Sequence, residues 1–297
     1  MKTKHYLMAG AVAIAFGALI FSGCEKKSTT STNNNNNSTD ITPAQDDANA
    51  QFAIQDSKNV ADGAAKSQPV ERLMGAPCAT FTYGNHTGKF DTILGGNNDS
   101  AIWVNFGNTD CNCSDGKARR GQLFIYWPAT NNYFDTTGTI GLIFHNYYLT
   151  DINIAGSRTL TNNNSKSWTF TANLTLTYPN NGGIAIWNST RTVAYTVVNT
   201  VSYWAVSGSA SGTSRTGKSF TLTVSQPLYA TFWPWWLSGS PFYGCAWIEA
   251  GYINITVTGM QYPLAVNFGS ASALGTNDCH WGDTVIYNNV KYPFVQL

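Results

Sequence analysis

The stretch SWTFTANLTLTY, residues 167–178, alternates apolar and polar side chains without interruption. Successive side chains of an extended strand point to opposite sides, so one face of this stretch is apolar and the other carries hydroxyls and amides. This alternation is typical of a half-buried antiparallel strand. Similar runs, divided by turn-forming NN, GG, PNN and SGS, recur from residue 101 onward. The sequence predicts an all-β fold, an antiparallel β-sandwich, either one large or two in tandem.

The N-terminus has the features of a bacterial export signal. Lys2 and Lys4 precede an apolar run over residues 7–21, which is short for a membrane span of roughly 20 apolar residues. Ser22-Gly23-Cys24 follows, as in a lipoprotein signal, so residues 1–23 are predicted to be removed and Cys24 acylated. The expected partner is the lipid bilayer, at either face of the outer membrane. A conventional signal peptide with an incidental Cys24 is the alternative.

Two segments connect this anchor to the β-rich region. Residues 24–41 contain STTSTNNNNNST and predict a disordered Asn/Ser/Thr-rich tether, because nothing in that stretch can form a core. Residues 42–77 predict a short helix and linker, with Thr42 as N-cap, Pro43 next and Gly63 as a stop. We interpret this helix as a spacer. Residues 78–297 form the predicted β-rich domain.

The charge composition gives no support for a nucleic-acid partner. The formal net charge is +1 and only 11% of residues are charged, which gives no electrostatic basis for binding nucleic acid. The basic group Lys117, Arg119 and Arg120 is interpreted as a solvated strand face.

GTSRTGKS, residues 212–219, matches the phosphate-binding loop letter by letter. That loop needs a helix after it, whose N-terminal amides hold the phosphates. Here the alternating SFTLTVS follows, which predicts a strand. We therefore expect a hairpin connection and no nucleotide.

The cysteines belong to an internal echo. The same order of features occurs in residues 78–127 and 245–297: a cysteine, a VNFG segment and a second cysteine. The two cysteines are 33 positions apart in the first copy, Cys78 and Cys111, and 34 apart in the second, Cys245 and Cys279. Two disulfides with these pairings are predicted for an exported chain, although Cys113 could replace Cys111. No metal site and no cofactor are expected.

One segment concentrates aromatic side chains, TFWPWWLSGSPFYGCAW at residues 231–247. Its candidate ligand-binding residues are Trp233, Trp235, Trp236 and Tyr243. They could form a stacking platform for sugars or a protein, or insert shallowly into lipid headgroups. Filling of the core is the interpretation that we favour.

Catalysis is not predicted. The β-rich region holds a single glutamate, Glu249, and its aspartates lie mostly in turn-like contexts. A glycosidase needs two opposed carboxylates, and the spacing suggests no such pair.

Four segments, VNFG…C…DGKARRGQLFIYW, IFHNYYLTDINIAGSRTLTN, VSGSASGTSRTGKSFTLTVSQPLY and NFG…NDC…D-TVIYNN, resemble β-rich envelope lipoproteins of the Bacteroidota. The resemblance spans most of residues 78–297 and implies an envelope location, but no activity and no catalytic residues. We expect a membrane-anchored lipoprotein with a non-catalytic binding or structural role, with glycans or envelope proteins as possible partners. A glycan-binding surface protein using residues 231–247 is the alternative, and a polysaccharide hydrolase is a weaker one.

Overall fold

The structure is a computed structural model that describes residues 40–65, 78–85, 99–113, 115–128, 130–134, 138–164, 166–198, 201–230, 248–270, 274 and 283–294. Within these residues, one helix precedes thirteen strands. The bounds are α1 Thr42–Ala65, β1 Thr80–Asn85, β2 Asp99–Asn112, β3 Ala118–Pro128, β4 Gly138–Leu149, β5 Ile152–Asn164, β6 Ser167–Thr177, β7 Ile184–Val198, β8 Val201–Thr213, β9 Ser219–Ala230, β10 Ile248–Val257, β11 Leu264–Asn267, β12 Asp283–Tyr287 and β13 Val290–Phe294.

The strands form one continuous sheet in which each strand pairs with its neighbours in the chain, from β1 to β13. The strand pairs are antiparallel, as short hairpin connections require. The predicted class, antiparallel all-β with one short helix before the strands, is confirmed. The described strands form one continuous sheet, so they correspond to the prediction of one large β-domain and not to that of two domains in tandem.

The stretch that decided the class behaves as its alternation predicts. In β6, Ala172, Leu174 and Leu176 are buried, while Thr171, Asn173 and Thr177 are exposed. β7 continues the same pattern for eight residues from Ile184. Each central strand therefore has one face toward the core and one toward solvent.

The helix α1 packs on the core face of the sheet, and its interpretation as a spacer is wrong. It contains 24 residues, and its alanines Ala50, Ala53, Ala61 and Ala64 belong to the main hydrophobic core. Among the residues of α1, only Gln55 is exposed. The burial of the helix was not predicted, because its apolar side chains are small and its buried polar residues are of the types that usually face solvent. Within the described part of the chain, no helix has the length and apolar character needed to cross a bilayer.

The sheet curves around this helix. α1 contacts β2, β7 and β10, strands that lie far apart in the sheet order. Alanine side chains let the sheet approach the helix closely, and the inherent twist of a many-stranded sheet supplies the curvature. The helix also starts differently from the prediction, since the Asp40 carboxylate accepts the Thr42 amide at 3.0 Å. The capping oxygen therefore comes from Asp40, and the helix continues past Gly63 to Ala65.

The repeated NFG segment of the internal echo has the same local geometry in both copies. The side chain of Asn105 accepts the Gly107 amide at 2.9 Å, and Asn267 accepts the Gly269 amide at 2.9 Å. Both glycines have positive φ, which favours glycine over other residues. Phe106 and Phe268, which stand between them, are both buried in the core.

Candidate functional site

The four aspartates of α1 are buried, and Asp56 is the most completely bonded of them. Its Oδ1 accepts Lys117 Nζ at 2.8 Å and Arg119 Nη2 at 2.5 Å. Its Oδ2 accepts Arg119 Nε at 3.1 Å and the Tyr147 hydroxyl at 2.9 Å. Both oxygens of this buried carboxylate therefore have two donors each, which is what burial of a charge requires.

Arg119 of β3 forms the ion pair with Asp56. The interpretation of Arg119 as part of a solvated strand face is therefore wrong. Its side chain is 1% exposed and also donates to both carboxylate oxygens of Asp115, at 2.9 and 2.5 Å. Lys117 lies partly buried against Asp56. Arg120 is as exposed as Lys117 but pairs with the exposed Asp110, so it fits the predicted solvated face. Residues 117, 119 and 120 looked alike in sequence, but strand alternation sends Arg119 to the helix and Arg120 to the opposite side.

A second ion pair joins α1 to β7. Asp47 Oδ1 accepts Trp187 Nε1 at 2.8 Å and Arg191 Nη2 at 2.7 Å. The Gln51 side chain donates to Asp47 Oδ2 at 2.6 Å. Asp47 and Arg191 are both buried, so this pair is shielded from solvent ions.

The loop that resembles a phosphate-binding loop binds carboxylates of this same chain. It is the turn between β8 and β9, as predicted, closed by the Gly217 amide donating to the Ser214 carbonyl at 2.8 Å. The Arg215 amide donates to Asp46 Oδ2 at 2.8 Å, and the Thr216 hydroxyl donates to Asp40 Oδ2 at 2.8 Å. The loop therefore fastens the N-terminal end of α1.

These contacts shift the acidities of the buried groups. Burial has the largest influence on Asp56 and opposes its ionisation, but the hydrogen bonds and charges of Arg119 and Lys117 outweigh it. The pKa of Asp56 is consequently held below its ordinary value of 3.8. Burial raises the pKa of Asp46, and the nearby Arg215 only partly compensates. A carboxylate with a depressed pKa is a poor proton donor near neutral pH, so Asp56 is suited to holding the helix.

The depressed pKa of Asp56 predicts a specific dependence of stability on acidity. A carboxylate whose pKa falls on folding stabilises the fold above its unfolded-state pKa, and this contribution is lost as the pH falls through the folded value. We expect Asp56→Asn to reduce the free energy of unfolding most above about pH 5 and progressively less below about pH 4. Urea unfolding of both proteins from pH 7 to pH 3 measures this. The exposed Asp110→Asn is the control and should follow the wild type at every pH.

The sulfur atoms of three cysteines lie together near the start of β1 and the end of β2. Cys78 and Cys111 form the predicted disulfide, with Cα atoms 5.5 Å apart, so the alternative pairing through Cys113 is not adopted. Cys113 is a buried free thiol, and the three sulfurs lie within 4.8 Å of one another. Burial raises the pKa of the Cys113 thiol. With two of the three sulfurs bonded to each other, this cluster offers one thiol.

Removal of this disulfide is expected to weaken the fold strongly. Cys78→Ser with Cys111→Ser should lower the free energy of unfolding by about 4 kcal/mol, because the closed loop restricts the unfolded chain. Urea unfolding measures the loss. Cys113→Ser is the matched control, since it replaces a buried sulfur without opening the loop, and it should lower stability by about 1 kcal/mol. Equal losses in both proteins would contradict the prediction.

The solvent side of the sheet carries two aligned rows of neutral polar side chains, which we call the polar outer face. The first row crosses β5 to β10 as Thr159, Thr171, Thr190, Ser209, Thr223 and Asn254. The second crosses the same strands as Ser157, Asn173, Asn188, Ser211, Thr221 and Thr256. Every position in both rows is threonine, serine or asparagine.

The polar outer face is accessible to large molecules. Ten of its twelve residues are exposed, and the other two, Ser157 and Thr159, are half-buried. The neighbouring residues along the strands, such as Ala172 and Leu222, are buried on the opposite side. A third row runs beside the first, in which the hydroxyls of Thr169 and Thr192 lie 3.3 Å apart. The surface is therefore uncharged and rich in both donors and acceptors.

A smaller aromatic cluster lies on the other side of the same strands. The rings of Trp168 and Trp204 are 4.9 Å apart, and those of Tyr195 and Trp204 are 5.5 Å apart, both in edge-on geometry. All three are half-buried. Trp204 pairs with Ala230, the residue after which the aromatic segment 231–247 begins.

Several predicted site residues lie outside the described part of the chain. They are the lipidation site Cys24, the second pair Cys245 and Cys279, and the aromatic candidates Trp233, Trp235, Trp236 and Tyr243. Their predicted roles stay predictions.

Sequence reasoning missed the helix–sheet ion pairs, although a signal was present. Arg158, whose Nε donates to the Ser57 hydroxyl of α1 at 3.0 Å, and Arg191 occupy strand positions with the same parity as the apolar residues of β5 and β7. A basic side chain on an apolar face indicates a buried partner, because an unpaired buried charge is very unfavourable. The aspartates of α1 were the available acids.

Comparisons of this chain with models of known protein families, with curated proteins and with solved structures show no match.

Proposed function

We propose that this chain is an exported, non-catalytic module of the bacterial envelope, anchored in the outer membrane through acylated Cys24. Support for the anchor comes from the basic start, the apolar run and Ser22-Gly23-Cys24. We also propose membership of the Bacteroidota envelope lipoproteins, which rests on the four sequence segments that resemble them.

The observation that carries the non-catalytic role is the use of the charged groups. Asp47 and Asp56 bind arginines of the sheet, Asp46 binds Arg215 of the turn between β8 and β9, and Asp62 accepts the Tyr133 hydroxyl at 2.8 Å. Acid–base catalysis needs such groups directed at a substrate. Here the buried aspartates bind groups of the same chain, and the accessible polar outer face carries no charge. This arrangement favours binding or presentation over bond cleavage.

The anchor is tested by metabolic labelling with an alkyne-bearing palmitate analogue and by membrane fractionation. We expect the wild type to be labelled and found in the outer membrane, and Cys24→Ser to be unlabelled and recovered in soluble fractions. Equal labelling and membrane association of both proteins would contradict the proposed anchor.

The non-catalytic role has a separate test. Residues 40–297 are incubated with neutral and charged polysaccharides, and new reducing ends are measured. We expect none above the level of a buffer control. Steady release that disappears in an Asp56→Asn or Glu249→Gln variant would instead favour the hydrolase alternative.

A further inference from the structure

We propose that the polar outer face binds a single chain of a neutral, unbranched polysaccharide, laid across strands β5 to β10. This inference rests on the proposed binding role and names both its surface and its ligand class. It is distinct from the predicted aromatic platform at residues 231–247, which lies outside the described residues.

The charge of the surface decides the charge of the ligand. The two rows hold no acidic or basic side chain, and the inward-directed Arg158 and Arg191 are 2% and 5% exposed. A polyanion or polycation would lose hydration on this face without gaining an ion pair. A ligand rich in hydroxyls exchanges its bonds to water for bonds to threonine, serine and asparagine, each of which can donate and accept.

The spacing of the rows favours a polymer. Neighbouring strands are about 4.8 Å apart, so each row repeats a hydroxyl or amide at that interval. An extended chain of β-1,4-linked pyranose rings advances by roughly one strand spacing per sugar, and although alternate rings face opposite ways, each ring carries hydroxyls that can meet a strand. Because each surface hydrogen bond nets little against water, useful affinity needs many bonds in register. The two rows across six strands supply twelve positions.

The twist of the sheet excludes a rigid, flat partner. Adjacent strands rotate relative to one another by roughly 20–25°, so the rows follow a curved path across six strands. A flexible polymer chain can follow this path, whereas a rigid, flat surface cannot. A protein partner is also disfavoured. Protein interfaces are centred on buried aromatic or large apolar anchors, and neither row contains one.

The experiment uses native electrophoresis of residues 40–297 in gels containing hydroxyethylcellulose, glucomannan or, as a polyanion, polygalacturonate. The variant Thr171→Val with Thr190→Val removes two directly opposed hydroxyls while keeping side-chain shape and strand preference. Thr80→Val with Thr82→Val on β1 is the matched control, also exposed strand threonines. Thr171→Ser with Thr190→Ser retains both hydroxyls.

We expect a neutral polymer to retard the wild type, the β1 control and the serine variant. The valine variant should bind about tenfold more weakly, as loss of two ordinary hydrogen bonds implies. Disaccharides of the same sugars should not compete. Retardation by polygalacturonate alone, no retardation at all, or unchanged binding of the valine variant would each overturn the inference. Release of reducing ends from a bound polymer would overturn the non-catalytic role and leave the binding surface intact.

Discussion

A chain shortened to residues 66–297 should fail to unfold cooperatively, whereas residues 40–297 should unfold in one cooperative transition. Removal of α1 exposes the alanines of its core face and leaves Arg119, Arg158 and Arg191 without their helix partners. Loss of α1 removes the helix groups that offset the burial of these guanidinium groups, in addition to the apolar contacts. Near-UV circular dichroism across a urea titration measures the difference.

Two controls make the helix deletion decisive. Gln55→Ala changes the exposed residue of α1 and should leave the urea midpoint of residues 40–297 unchanged. A synthetic peptide of residues 40–65 added to residues 66–297 should restore near-UV signal. If residues 66–297 unfold with the same midpoint as residues 40–297, the helix is a spacer after all.

The second large effect is expected at Arg119. Arg119→Met should lower the free energy of unfolding by about 4 kcal/mol, because it leaves the buried Asp56 carboxylate with only part of its donors. Urea unfolding at pH 7 and low salt measures the change.

The adjacent basic residue supplies the comparison for that change. Arg120→Met removes a pair with Asp110 near the surface and should lower stability by less than about 1 kcal/mol. A double variant, Arg119→Met with Asp56→Leu, should recover part of the loss, since an apolar pair leaves fewer charges buried. A loss at Arg119 no larger than that at Arg120 would contradict the buried pair.

The strands were predictable because one physical signal, alternation, sets both their conformation and their buried face. The burial of β6 follows it from Thr171 to Thr177, and the hairpin at residues 214–218 follows from strand patterns on both sides. Cys78–Cys111 was predictable from the internal echo and the expectation of export. Alternation is local, so it carries over directly from sequence to structure.

The helix and its ion pairs were not predictable in the same way, because they depend on contacts between distant residues. Asp56 and Arg119 are 63 residues apart, and Asp47 and Arg191 are 144 apart. From sequence alone, an aspartate on an alanine-rich helix is as compatible with exposure to solvent as with pairing to a buried arginine. The aligned rows of the polar outer face likewise require the register between six strands, which strand patterns alone do not fix.

The pKa of Asp56 tests most directly whether the buried charges serve the fold. Carbon-detected NMR of the side-chain carboxyl, followed from pH 7 downward in residues 40–297, assigns that value. The helix–sheet pairing predicts a pKa below the ordinary 3.8. A pKa above that value, approaching neutrality, would mean that Arg119 does not hold the carboxylate. Asp56 would then be a candidate acid for catalysis, contrary to the role proposed for this protein.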